Sequence, residues 1–141
     1  MEFCYRAKIG ADPDGGFLVS FDDVPEALTQ AETLEEACAN AVEALGLALR
    51  GIVAENRPLP KPAATNGVPI AVAADDAMKL AVISAFQTSG LTKTELARRL
   101  GKQEAEARRI LDPDHATKIA TMQDAMRALG KTIVISVMEA A

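Results

Sequence analysis

Soft metal ligands are scarce in this chain: 141 residues contain two cysteines and one histidine, Cys4, Cys38 and His115. Their spacing matches no zinc site. Cys4 falls in a predicted strand and Cys38 on the apolar face of a predicted helix, the setting of reduced core thiols rather than of a bridge. Long apolar runs are also missing. Nothing approaches the roughly 18 consecutive apolar residues of a membrane span, and the opening MEFCYRAKIG lacks the apolar core of a signal peptide. These absences predict a cytoplasmic protein with no membrane association, no metal and no other cofactor. No histidine lies in the first ninety residues, which removes one common catalytic base from that half.

What is present is a core and a sorted charge. A length of 141 residues suits one domain or two small ones, and a hydrophobic content of 49% is enough for a packed core. The net charge of −5 conceals an asymmetry. Residues 1–90 hold six basic groups against thirteen acidic ones. Residues 91–131 hold nine basic groups (93, 98, 99, 102, 108, 109, 118, 127, 131) against six acidic ones (95, 104, 106, 112, 114, 124). The segment able to meet phosphate is thus separate from one that repels it.

Along the chain, residues 3–9 alternate with Phe3, Tyr5, Ala7 and Ile9 on one side, which predicts a half-buried strand. Asp12-Pro13-Asp14-Gly15-Gly16 is turn chemistry, and residues 17–21 form the returning strand, ended by the acidic corner Asp22-Asp23-Val24-Pro25. Thr33-Leu34-Glu35-Glu36 reads as a capping box. Behind it Leu34, Ala37, Cys38, Ala41, Val42, Leu45, Leu49, Ile52 and Val53 recur at helical steps, predicting a long amphipathic helix on the hairpin. RPLPKPAATNG at 57–67 is extended and cannot continue a helix. VPIAV at 68–72 fits an edge strand, since Pro69 has no N–H for a ladder.

A helix capped by Asp75 or Asp76 runs through Met78, Leu80, Ile83 and Phe86 to Gly90. Next comes LTKTELARRLGKQEAEARRILD. Thr92 and Glu95 stand as N-cap and capping-box acid, Leu96, Ala97 and Leu100 form an inner stripe, and Gly101 permits a sharp turn. In the following helix Ala107, Ile110 and Leu111 face inward. Two short helices across a glycine turn predict a helix-turn-helix, whose second helix enters the DNA major groove. On that second helix Arg109 lies opposite the core face and suits bidentate contact with guanine, while Gln103 and Glu104 suit adenine and cytosine edges. Lys93, Lys102 and Arg108 suit phosphate contacts. A further helix is expected from a Thr121/Asp124 capping box, with Met122, Ala125, Met126 and Leu129 inside and Gly130 at its end. Finally, KTIVISV at 131–137 is a β-branched run without a local partner. Its Ile133, Val134, Ile135 and Val137 predict a strand that pairs with the same strand of a second chain, the alternative being residues 68–72 of its own chain.

The order DPDGGFLVSFDDVP, TQAETLEEACANAVEAL and RPLPKP, followed by LTKTELARRLG and LDPDHATKIATMQDAMRALGKTIVISV, resembles HicB antitoxins of the type with a C-terminal helix-turn-helix, and the resemblance spans essentially the whole chain. It implies an α+β protein: a partial ribonuclease-H-like hairpin-plus-helix domain at 1–73 that neutralises a HicA-like RNA-cleaving toxin, then an all-α helix-turn-helix domain at 74–141 with a C-terminal strand. Operator DNA and a homodimer or higher oligomer are the further partners implied. Asp12, Asp14, Asp22, Asp23 and Glu26 are then candidates for meeting a basic toxin, a charge match that speeds association. Two other classes stay open from the residues alone. One is a stand-alone DNA-binding regulator whose first domain senses a ligand. The other is a ribonuclease-H-like nuclease using Asp12, Asp14, Asp22 and Asp23 on metal, disfavoured because the two pairs sit at opposite ends of one strand.

Overall fold

A computed structural model describes residues 1–140. The chain is α+β, with elements β1 (Cys4–Ala11), β2 (Phe17–Phe21), β3 (Leu28–Ala31), α1 (Leu34–Ala54), β4 (Val68–Ala71), α2 (Ala74–Ser89), α3 (Lys93–Leu100), α4 (Glu104–Ile110) and α5 (Ile119–Ala128). Two compact units arise. One is built from Met1–Gly51, Leu59–Ala73 and residues 139–140, the other from Ile52–Pro58 and Ala74–Met138.

In the first unit four strands pair antiparallel in the order β3-β2-β1-β4. The predicted alternation of β1 holds: Ala7 stands opposite Phe21 and Tyr5 opposite Ile70, and these four, with Val19, are buried. The other face carries Arg6, Lys8, Leu18, Ser20, Leu28 and Gln30 and stays largely wet, as an antiparallel sheet permits. The β1–β2 turn closes through Asp12 N–H to the Gly16 carbonyl at 3.0 Å and Gly15 N–H to the Asp12 carbonyl at 3.0 Å. Gly16 is obligatory there, because its φ is +76° and a Cβ would collide with the carbonyl oxygen of Ala31. β4 is the edge strand beyond β1, where Pro69 removes no ladder bond. β3 was not expected from sequence. It follows a loop anchored by buried Val24 and Ala27, and Ala31 is its one buried residue.

α1 begins as predicted. Thr33 Oγ1 accepts from Glu36 N–H at 3.1 Å, and the Glu36 carboxylate reaches back to Glu32 N–H at 3.3 Å. Ala37, Ala41, Leu45 and Leu49, one turn apart, are all fully buried, and each leucine contributes about 1.5–3 kcal/mol by leaving water. Asn40 Nδ2 donates to the Gln30 carbonyl at 3.0 Å, tying the helix to β3. Leu34, expected to face inward, is instead 59% exposed, because the first residue after the cap precedes the buried stripe. The 21-residue helix meets the length and composition of a membrane span, yet its apolar stripe is already occupied in the core. It closes on Asn56 in the left-handed region (φ 57°), with Arg57 N–H on the Ile52 carbonyl.

The second unit contains α2 to α5. Asp75 and Asp76 lie inside the first turn of α2 rather than at its cap, a position the helix dipole still favours. α5 starts earlier than its capping-box pattern suggested. Lys118 is the N-cap and makes no side-chain cap bond, so Thr121 lies within the first turn and Asp124 pairs with Arg127 at 3.3 Å. Met122, Ala125 and Met126 are buried as expected. Residues 131–140 form no regular secondary structure, and Val134, Ile135 and Val137 are 86%, 76% and 93% exposed. The expected C-terminal strand therefore does not form within a single chain, and its intrachain candidate, β4, pairs with β1 on one side only.

Residues 59–67 are extended but not loose. The prolines cannot donate ladder bonds, and side chains of the first unit take over. Tyr5 OH donates to the Pro60 carbonyl at 2.6 Å, Asp23 Oδ2 accepts the N–H groups of Ala63 and Ala64 at 2.9 Å each, and Arg6 Nη1 donates to the Gly67 carbonyl at 2.9 Å. Burial, assisted by the Asp23 charge, pushes the Tyr5 phenol up to about 12. Because the folded value lies above the ordinary value of 10.0, the neutral phenol's contribution is complete below about pH 10 and is lost as pH rises toward 12. Tyr5→Phe should cost about 1–2 kcal/mol at neutral pH. Urea unfolding of both proteins from pH 8 upward should show this difference shrinking above pH 10; a constant difference would contradict the assignment.

Candidate functional site

α3 and α4 are short, and what fixes them is local. Thr92 Oγ1 accepts from Glu95 N–H at 3.1 Å and donates to the Glu95 carboxylate at 3.2 Å. At the other end Gly101 takes φ 65°, its N–H meets the Arg98 carbonyl at 3.1 Å, and Lys102 N–H meets the Ala97 carbonyl at 2.9 Å. This glycine stop turns the chain in three residues into α4. Leu96, Ala97, Ala107, Ile110 and Leu111 are buried together with Met122 and Ala125 of α5. Gln103, Ala105, Arg108 and Arg109 are left on the exposed side of α4.

The structure gives the individual side chains of this face different situations. Arg109 is exposed and has no side-chain partner among the described residues. Lys93 is exposed in the first turn of α3, and Gln103 is the exposed N-cap of α4 without a side-chain cap bond. Lys102 lies 3.8 Å from the Glu106 carboxylate. Glu104 is engaged at both oxygens: Oε1 accepts from Arg108 Nη2 at 2.6 Å and Oε2 from Thr94 Oγ1 at 3.0 Å. Its carboxylate therefore ties α4 to α3 and restrains Arg108. Arg99 in the last turn of α3 donates to the Ala128 carbonyl at 3.2 Å.

Sequence reasoning missed Lys79. It is 4% exposed, on the buried side of α2 beside Leu80, Val82 and Ile83. Its Nζ donates to the carbonyls of Arg109 at 3.2 Å and Ile110 at 2.9 Å and to Thr117 Oγ1 at 2.5 Å. Desolvation holds this ammonium below the usual lysine range, partly offset by Asp112. The available signal was a cation at a core position of a helical stripe, which must find partners. Those partners are mostly backbone carbonyls, which no side-chain pattern reveals.

In the first unit the acidic residues do not converge. The Asp12 carboxylate accepts from Asp14 N–H at 3.0 Å in the β1–β2 turn, Asp22 pairs with Lys8 at 2.7 Å, and Asp23 holds the 63–64 backbone. Asp14 and Glu26 are exposed. Among the described residues no three His, Cys, Asp or Glu side chains are grouped to hold a metal ion. His115 is an exposed loop residue whose N–H meets the Asp112 carbonyl at 3.1 Å.

Known proteins match both the sheet unit and the helical unit. A family model described as the HicB_like antitoxin of bacterial toxin-antitoxin systems matches residues 4–81. The chain is 42% identical over 135 residues to antitoxin HicB of Escherichia coli K12, covering 92% of this chain and 95% of that protein. It is 39% identical over 133 residues to antitoxin HicB 1 of Photorhabdus laumondii (94% and 86% covered) and 35% identical over 138 residues to antitoxin HicB of Pseudomonas fluorescens (96% and 94% covered). With that coverage, and with the sheet, helix and helical unit in the order the motifs required, this chain belongs to the HicB-like antitoxin family of bacterial toxin-antitoxin systems.

Proposed function

We propose that this antitoxin works in the cytoplasm without catalysis of its own, binding and neutralising a HicA-like mRNA interferase through its sheet unit and repressing its own operon through α3 and α4 as a helix-turn-helix. The observation that carries the DNA half is the outward face of α4, where Arg109 is exposed and unpaired opposite the buried Ala107, Ile110 and Leu111. Arg109 and Gln103 read base edges, and Lys93, Lys102 and Arg108 meet phosphates. Glu104 holds Arg108 and Thr94 and keeps lone pairs for the cytosine edge that its position in sequence suggests.

The toxin half rests on charge. Asp12, Asp14, Asp22 and Glu26 offer a basic RNA-binding partner a negative surface, while Asp23 contributes mainly by holding the chain that returns to β4. Dimerisation rests on residues 131–137. The irregular backbone of 132–137 and the exposed Val134, Ile135 and Val137, with Ile133, suit antiparallel pairing with a second copy, which would set two recognition helices about 34 Å apart.

Three outcomes are expected. Arg109→Ala weakens binding to the promoter duplex that precedes this gene by about 1–3 kcal/mol and relaxes one base pair, whereas Lys102→Ala weakens all duplexes alike and flattens the salt dependence. Anisotropy titrations against a shuffled duplex distinguish them, and equal losses on both duplexes for Arg109→Ala would remove it from base reading. Neutralising Asp12, Asp14, Asp22 and Glu26 together slows toxin association about tenfold at low salt; stopped-flow rates that do not change would remove the acidic surface from the interface. Deleting residues 132–141 lowers the mass of the assembly by light scattering and sharply weakens promoter binding, with toxin rescue in co-expression retained. An assembly of unchanged mass would exclude the tail as the dimer element.

A further inference from the structure

We propose that Lys79 is a positioning residue for DNA recognition: from α2, outside the recognition pair, it seats the C-terminal end of α4 and thereby sets the direction in which Arg109 leaves the helix. The inference rests on the proposed reading of α4 as the recognition helix.

α4 has seven residues and an N-cap without a side-chain bond, so its own hydrogen bonds are too few to define its position. Tertiary ties must do so at both ends. At the start the tie is Glu104 to Thr94. At the end the last carbonyls lack intrahelical donors; Lys79 supplies one to Ile110 and a second to Arg109, whose carbonyl also accepts from Asp112 N–H at 3.3 Å. All three ammonium hydrogens find acceptors: the Arg109 carbonyl, the Ile110 carbonyl and Thr117 Oγ1 in the loop before α5. Arg109 is thus held from inside through its carbonyl while its guanidinium faces out. A buried cation with these acceptors is directional, since moving α4 along or about its axis would strand the charge, which an apolar filler would not resist. Bidentate reading of a base tolerates little displacement, so loss of this anchor should be felt in discrimination before it is felt in general affinity.

The test compares full-length wild type, Lys79→Met, Thr117→Val and Arg109→Ala on two probes, the duplex of the promoter region preceding this gene and a shuffled duplex of equal composition. For Lys79→Met the ratio of promoter to shuffled affinity should fall about tenfold, and for Thr117→Val about threefold, by analogy with loss of one base contact. Shuffled-duplex affinity and its salt slope should stay as in wild type. In the Arg109→Ala background Lys79→Met should bring no further loss of discrimination, the non-additivity expected when one residue acts through another. Parallel losses on both probes, or full additivity with Arg109→Ala, would reduce Lys79 to a core residue and overturn the proposal. Should Lys79→Met fail to fold, Thr117→Val decides, and an unchanged ratio overturns it. A wild type that does not distinguish the probes overturns the underlying DNA reading, whereas a discriminating wild type beside equally discriminating variants overturns only the role of Lys79.

Discussion

β1 carries the first unit. Both β2 and β4 pair with it, and β4 can do so only because the 59–67 segment is brought back along a fixed path. That path is set where prolines leave backbone groups without ladder partners, and three side chains answer: Tyr5 and Arg6 from β1 itself, and Asp23 from the corner after β2. The strand that organises the sheet also supplies two of the three anchors of the chain returning to it. Gly67 belongs to the same constraint, since a Cβ there would strike the Ala7 carbonyl where the chain enters β4.

The second unit applies the same device to helix ends. Thr92 serves the start of α3, Arg99 the end of α5 and Lys79 the end of α4. Its cations therefore divide. Lys79 and Arg99 hold carbonyls within the fold, Lys102, Arg108 and Arg127 face carboxylates, and Lys93, Arg98, Arg109, Lys118 and Lys131 are exposed. The cations exposed without a carboxylate partner are therefore fewer than the positive residues of 91–131.

Much of this was legible in the sequence where the signal is local. The Gly15-Gly16 turn, the Thr33 cap, the Gly101 stop and the inward set Ala107, Ile110 and Leu111 each depend on residues within a few positions of one another. β3 was not legible, because a strand with one buried residue takes its identity from the register of β2. Thr121 and Asp124 misled, since a cap requires a non-helical residue and the chain had already entered α5 at Ile119. Asp23 looked like a free charge for the same reason that Lys79 looked like nothing: their partners lie thirty or more positions away, and most are backbone atoms without a side-chain signature.

Tyr5 has a practical consequence. The chain contains no tryptophan and one tyrosine, and that phenol sits in the contact between β1 and Pro60. Intrinsic fluorescence therefore reports almost solely on the sheet unit, at one hydrogen bond, while the helical unit is nearly silent by that signal and visible by far-ultraviolet circular dichroism. The two signals together can resolve whether the units melt in one transition or two, with no label added to the protein.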